Sequence, residues 1–422
     1  MSELAFTTLA ALADITMGQS PDSALCNTNE QGLPFLQGCA EFGQKNPRAM
    51  VFCESAVRTA KAGSVLISVR APVGTMNYAD QDYCVGRGLA AFKANPSLSN
   101  SVFLKHAVEL NSGYLHRRSQ GSTFAAVSSE DIRKIPVPKF SLAQQNKIAG
   151  MLDGIDTAIE RTEALIEKYQ QIKAGLMHDL FTRGVLPDGK LRPTREQAPE
   201  LYRETGIGWV PKEWGISKLE TMAKIASGVT LGAKESPSDT IEAPYLRVAN
   251  VQDGYLDLAE IKTVRISRNT LNDLRLQPGD VLMNEGGDFD KLGRGAVWAG
   301  EIENCVHQNH VFRVRVDEEF MLPNYLALYS ESSFGKKYFL ISSKQSTNLA
   351  SINSTQLKNY PIALPDVAEQ RRICATLARA NQRIQALKTE AEKMRSQKNG
   401  LMHDLLTGEV AVKVDAPIEQ EA

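Results

Sequence analysis

The sequence predicts an α+β fold: two globular domains of mixed helix and strand, joined by two long antiparallel coiled-coil helices and related by a pseudo-twofold internal repeat. Three observations predict it. The chain has 422 residues, more than one hydrophobic core usually organises. Leu176-Met177-His178-Asp179-Leu180 recurs unchanged as Leu401-Met402-His403-Asp404-Leu405. The residues upstream of both copies carry the 3.5-residue apolar period of a coiled coil.

The repeat is ungapped over some fifty residues. The same shift of 225 pairs Pro136 with Pro361, Ala143 with Ala368, Gln145 with Gln370, Lys173 with Lys398 and Gly175 with Gly400. Further upstream the two halves diverge: Ile15-Thr16-Met17-Gly18 resembles Ile225-Ala226-Ser227-Gly228 at a shift of 210. A constant tail behind a divergent globular part implies one shared scaffold role and two separate specificities.

In the first tail the seam runs Ile148, Leu152, Ile155, Ile159, Thr162, Ile166, Tyr169, Lys173, Leu176, Leu180. In the second it runs Ile373, Leu377, Ala380, Ile384, Leu387, Ala391, Met394, Lys398, Leu401, Leu405. Each seam is about 33 residues, hence roughly 50 Å of helix, and the two copies are each other's obvious partners. Lys173 and Lys398 interrupt both seams in register, as a built-in polar position that fixes alignment. Asp153, Asp156, Glu160, Glu163 and Glu167 read as a solvated or partner-facing surface. Domain termini often lie close together, which makes the two helices antiparallel.

The boundaries follow: a first domain over 1–138, a first helix over 139–184, a polar joint over 185–206, a second domain over 207–360, a second helix over 361–410 and a flexible tail over 411–422. Strand-type runs stand at Ser64–Val69, Leu89–Phe92, Asp280–Met283 and Val311–Val316, and a helical stretch at Phe103–Leu110.

Composition narrows the function classes. With 42% hydrophobic and 23% charged residues the chain is an ordinary soluble protein. It contains no apolar run of membrane-spanning length and no signal layout, so the expected place is the cytoplasm, away from any membrane. Six scattered cysteines without a CxxC pair suit reduced thiols. The net charge is −1. Residues 1–138 carry twelve basic against eleven acidic side chains, and 207–360 seventeen against nineteen. Charge alone therefore gives a nucleic-acid binder no support.

Several short motifs stand in order along the chain: Gly18-Gln19-Ser20-Pro21, Gly121-Ser122-Thr123-Phe124 ahead of Ile135-Pro136-Val137-Pro138, Ile207 to Trp214, Gly293-Arg294, and Ala368-Glu369-Gln370-Arg371-Arg372-Ile373. Together they resemble the specificity subunits of type I restriction-modification systems. The resemblance implies two target recognition domains reading the halves of a split double-stranded DNA site. It also implies conserved helices that set the spacer and bind two adenine-methyltransferase subunits, with restriction-translocase subunits completing the complex. S-adenosylmethionine, ATP and Mg would belong to those partners, with no cofactor in this chain. The chain departs from the pattern at Gln144-Gln145, where the second copy has Glu369-Gln370, a difference that reads as minor.

No catalytic or metal site is expected. No Pro-Pro occurs, so the Asn/Asp-Pro-Pro-Tyr/Phe loop of an adenine methyltransferase is missing. Gly184 to Lys190 fits GxxxxGK, but Leu191 follows where Ser/Thr is needed, and a helix precedes it in place of a strand. Cys305, His307 and His310 lack a second ligand pair, and His178 and His403 read as packing or partner contacts beside helix ends. DNA contact needs Arg, Lys, Asn or Gln at base edges and cations on phosphates. The candidates are Arg70, Arg87, His116, Arg117, Arg118 and Gln120 in the first domain, and Arg247, Lys291, Arg294, Lys336, Lys337 and Lys344 in the second. For each of these, a solvated surface charge is the competing reading. Two other functions stay open: a structural adaptor whose helices join proteins, and a single-chain restriction or methylation enzyme.

Overall fold

In the computed structural model the described residues are 4–119, 126–232, 239–287, 292–345 and 350–414. The chain forms two compact units, Met1–Ile166 with Ala386–Ala422, and Glu167–Gln385. The division falls inside both long helices, Leu142–Thr182 and Val367–Thr407. Each unit thus holds the globular part of one repeat, part of its own helix, and the end of the other repeat's helix.

The first unit has a four-stranded antiparallel sheet in the order Ala13–Met17, Leu89–Ala94, Val65–Ser68, Met76–Tyr78. The second has the same sheet from Ala223–Ser227, Val311–Val316, Val281–Asn284 and Gly295–Val297. Val65–Ser68 and Val281–Asn284 are buried throughout, which is why they read as continuous apolar runs without alternation. A smaller sheet stands beside each. In the first unit Leu33–Leu36 pairs antiparallel with Val51–Cys53 and parallel with Tyr83–Val85. In the second Thr240–Leu246 pairs antiparallel with Lys262–Ser267 and parallel with Val306–His307. Pro136–Pro138 and Pro361–Leu364 close the globular parts as two-stranded ladders with Phe6–Thr8 and Gly215–Lys218.

Both long helices begin on a buried glutamine. Gln145 accepts from the Asn100 amide and donates to the Leu98 and Phe140 carbonyls. Gln370 accepts from the Leu322 amide and donates to the Phe320 and Pro365 carbonyls. A buried side-chain amide with all its partners supplied locks the helix to its domain at a fixed angle.

None of the twenty seam residues is exposed. Ile148, Leu152, Ile159, Ile373, Leu377, Ile384 and Leu387 are buried, while Ile155, Ile166, Tyr169, Leu176, Met394 and Leu401 are half-buried. The seam's ends, however, belong to the domain cores. Ile148 and Leu152 pack with Met402, Leu405 and Leu406 among Phe103, Leu104 and Ile135. Ile373 and Leu377 share a core with Met177, Leu180, Phe181, Tyr325 and Tyr329. Within the first unit the helices run antiparallel, Glu163 pairing with Arg395, Asp156 with Lys398, and Lys147 with the Lys413 carbonyl. Within the second, Tyr169 lies under Arg383 and the Val185 carbonyl meets Arg372.

Four expectations need correction. Lys173 and Lys398 do more than fix helix alignment. Lys173 reaches Glu331 of the second globular part at 2.9 Å, and Lys398 reaches Asp156 at 2.9 Å and Glu109 of the first globular part at 3.4 Å. Asp156 is consequently no solvated charge, since it also faces Lys105 at 3.7 Å and the fully buried ring of His106 at 3.6 Å. The joint is likewise well packed. Its Arg192 is buried against Glu369, with both guanidinium amino groups on the carboxylate and a further bond to Glu213. Glu369 also accepts from the Val185 amide and the Trp214 indole. Gly184, at φ 68°, lies so close that a Cβ there would come within 2.1 Å of the Glu369 carboxylate. The difference between Gln144 and Glu369 is therefore a substantial one, because Gln144 instead binds the Val412 carbonyl of the tail. The rest of that tail, 415–422, lies outside the described residues.

Candidate nucleic-acid interface

In each unit the two parallel strands of the small sheet end side by side, and a glycine loop folds over their ends. In the first unit the Gly86 amide donates to the Leu36 carbonyl, the Gln19 amide to Val85, and the Gly18 amide to Leu89. A Cβ on Gly18 would stand 2.1 Å from the Gly86 carbonyl, so only glycine lets the loop lie this close. In the second unit the Val229 amide donates to His307, Gln308 to Leu246, and Asn309 to Val229, and a Cβ on Gly228 would stand 1.9 Å from the His307 carbonyl. The weak similarity around Gly18 and Gly228 thus marks one structural device used twice.

The device projects polar side chains. Gln19, Gln37 and Arg87 are exposed along the rim of the first unit, with the Ser20 hydroxyl and the Gln37 side-chain amide 3.3 Å apart. Arg87 has no ion-pair partner among the described residues. The strip continues through the Val69 amide, which donates to Gly88, to exposed Arg70, whose backbone pairs with Ala126. Beside it a Cβ on Gly74 would stand 3.8 Å from Leu115 of the helix Ser112–Ser119, which carries exposed His116, Arg117 and Arg118. Arg118 lies over the Tyr114 ring. Gln120 lies outside the described residues.

The second rim has different chemistry. Arg247 occupies the place of Gln37, but it is half-buried, 3.4 Å from Glu260, with its amide bonded to Asn250. Gln308 and Asn309 are half-buried there, and His310 contacts Glu285 at 2.6 Å. Arg294 is 3.5 Å from Asp253 and donates to Gln252. Lys344 is exposed on the short strand Lys344–Gln345. Lys336 and Lys337 are exposed on the helix Ser333–Ser342 but away from this rim. Lys336 borders a hollow with Lys173, His178 and Glu331, and Lys337 borders another with Ile207 and Pro361. Lys291 lies outside the described residues. The sequence reading passed over Gln19, Gln37, Gln308 and Asn309, and the one available signal was the pair of glycines.

The remaining motifs are structural. The ring of His307 is fully buried, with Nδ1 2.6 Å from the Val311 carbonyl, and burial pushes its pKa down to about 4. Among the described residues no group of three His, Cys, Asp or Glu side chains is placed to hold a metal ion. In the GxxxxGK stretch the Leu186 amide closes on the Lys190 carbonyl, and the Val185 amide already serves Glu369. His178 and His403 are exposed, the latter 3.3 Å from Glu409. No helix among the described residues is long and apolar enough to cross a membrane.

A model of the type I restriction modification DNA specificity domain matches the chain twice, over residues 1–171 and 211–394. The chain belongs to this specificity family. Among its relatives are a putative type I restriction enzyme MjaX specificity subunit and the MjaVIII specificity subunit, both of Methanocaldococcus jannaschii. MjaX is 35% identical over 42% of this chain and 40% of its own length, and MjaVIII 23% identical over 75% and 72%. The EcoKI specificity subunit of Escherichia coli is 25% identical over 58% of this chain and 50% of its own length. The match to MjaX thus spans well under two thirds of that relative. The S subunit of a type I system from M. genitalium shares the fold at TM-score 0.57, with 13% identity over 96% of this chain and 97% of its own. A chain from a structure of the type I R-M system also scores 0.57, at 16% identity over 97% and 99%. For a specificity-family chain, the two matched segments fall on the two copies of the strand-end device.

Proposed function

We propose that this chain is the cytoplasmic DNA-recognition subunit of a type I restriction-modification complex and performs no catalysis itself. Each globular part reads one half of a split site in double-stranded DNA. The observation that carries this reading is the twice-built rim: a matching parallel strand pairing presents Gln19, Gln37 and Arg87 in one unit and Arg247, Gln308 and Asn309 in the other. Arginine and amide side chains are the groups that pair with base edges in the major groove, and a shared frame with different side chains suits two unlike half-sites. The exposed cations Arg70, Arg117 and Arg118 would serve phosphates. The paired helices set the spacer and dock two adenine-methyltransferase subunits, which bring S-adenosylmethionine. Restriction-translocase subunits bring ATP and Mg.

The test exchanges residues 1–138 for those of a relative with a different target and maps methylated adenines across a genome carrying the assembled system. One half-site is expected to change while the other and the spacer stay. Unchanged methylation would favour an adaptor that joins proteins only, the reading that the net charge of −1 supports. Modification or cleavage by the purified chain alone would make it an enzyme in its own right.

A further inference from the structure

Three of the six cysteines, Cys26, Cys53 and Cys84, converge on the small sheet of the first unit, although they lie far apart in sequence. Cys26 and Cys53 face each other on antiparallel strands. The neighbouring Glu54 amide donates to the Leu25 carbonyl at 3.1 Å, which makes 25/54 the hydrogen-bonded pair. The pair 26/53 is therefore of the non-hydrogen-bonded kind, with its Cα atoms about 4.5 Å apart and its side chains on one face. Disulfides need a Cα separation of about 4.4–6.8 Å, so this pair can close without moving the backbone. Cys84 stands behind them, its thiol pushed up to about 12 by burial and then by Cys53.

By strand register Cys53 corresponds to Val264, both sitting opposite the strand that runs from Leu33 or Ala243. Cys84 corresponds in the same way to Val306. Packing at these places asks only for a small apolar side chain, and the first unit adds sulfur chemistry to it. Access is graded as well: Cys26 is half-exposed, whereas Cys53 and Cys84 are buried.

We propose that Cys26 and Cys53 form a reversible disulfide that fixes the loop carrying Gln19 and Ser20. The oxidant is a low-molecular-weight disulfide such as glutathione disulfide. The Cys26 thiolate attacks one of its sulfurs and releases one glutathione thiolate, leaving a mixed disulfide. The Cys53 thiol then loses its proton and attacks the Cys26 sulfur, expelling the second glutathione. Two protein thiols are oxidised, one glutathione disulfide is reduced, and two glutathione thiols leave. Burial, and then Cys53, raise the Cys26 thiol, so the reaction accelerates as pH rises above neutrality. The bond itself stands on geometry; its consequence for DNA rests on the recognition role proposed above.

The experiment treats the full, reduced chain with glutathione disulfide, blocks remaining thiols with N-ethylmaleimide and maps peptides by mass. The expected result is a Cys26–Cys53 linked pair that dithiothreitol dissolves and Cys26→Ser abolishes. Full alkylation of both thiols, or a Cys53–Cys84 link, overturns the proposal. A second arm measures binding of target duplex by the assembled complex before and after oxidation, with Cys26→Ser as the insensitive control. A severalfold affinity change confined to the oxidised Cys26-containing complex supports the loop consequence. A linked pair with unchanged affinity removes that consequence and leaves the bond. If the reduced complex binds no target DNA, the recognition role fails independently of the thiol chemistry.

Discussion

Glu369 gathers four donors from three places in the sequence: the Val185 amide, both amino groups of Arg192 and the Trp214 indole. Taking away one member of a buried charge pair leaves the other uncompensated, at a cost of about 3–5 kcal/mol. Glu369→Ala and Arg192→Met should each destabilise the second unit by that amount in chemical denaturation, with hydrogen exchange quickening over residues 185–206. The double variant Arg192→Met/Glu369→Met should lose much less than the sum, because no orphan charge remains. His307 sets an acid limit on the same unit. Its neutral ring is favoured by burial, with a pKa near 4 against 6.5 for a free histidine. Above pH 6.5 it contributes no pH dependence. As pH falls from 6.5 toward 4 the unfolded chain binds the proton first, and roughly 3 kcal/mol of stability is lost. Urea midpoints measured at pH 7 and pH 4.5 should therefore separate more in the parent than in His307→Asn, which keeps a donor for Val311.

At the scale of elements, each long helix is gripped at its start by its own domain and at its end by the other repeat's. The grips are Gln145 and Gln370 at the starts, and Lys173 on Glu331 and Lys398 on Glu109 at the ends. Gln145→Ala and Gln370→Ala should each cost about 1–3 kcal/mol, because buried carbonyl and amide partners lose their bonds. Glu109 gives a pH signature. Burial pushes its carboxyl up, but the His106 hydrogen bond and the Lys105 and Lys398 charges outweigh this and hold it at about 2. A depressed carboxylate stabilises the fold above its unfolded value near 4.5, and that contribution drains away as pH falls toward 2. Lys398→Met should flatten this acid limb, measured as the slope of unfolding free energy between pH 4.5 and pH 2.5.

The helices were legible because their period is local and their duplicate is ungapped. Their charges were misread for a related reason. A sequence shows that Asp156 is off the apolar stripe, and it cannot show that Lys105, His106 and Lys398 arrive from elsewhere to meet it. The rim was legible only as two glycines. Gly18 sits beside Gly86, and Gly228 beside His307, through a parallel strand pairing whose partners are about fifty residues apart in the first unit and about sixty in the second. Nothing local encodes such a pairing. Of the named cations, Arg87 and Arg70 fall on the strip and Lys336 does not, and composition alone could not sort them.

For the whole molecule, the proposed spacer role makes the length of the two 41-residue helices the quantity to vary. Removing one heptad from each should shorten it by roughly 10 Å, equivalent to about three base pairs of duplex. Methylation mapping with the assembled complex should then report a shorter spacer between unchanged half-sites. An unchanged spacer would show that the helices do not measure it.

The clasp at the helix ends has a consequence for how such genes diversify. Met177 and Leu180 are set in the second domain's core, and Met402 and Leu405, identical in type, in the first's. Plug and socket are thus of one pattern at both positions, with a lysine answering a glutamate each time. Recombination that replaces one globular segment delivers a socket already fitted to the resident plug, provided the glutamate corresponding to Glu109 or Glu331 comes with it. If the globular parts read DNA as proposed, a new specificity can be assembled by exchange of a segment while both helix-end contacts are kept.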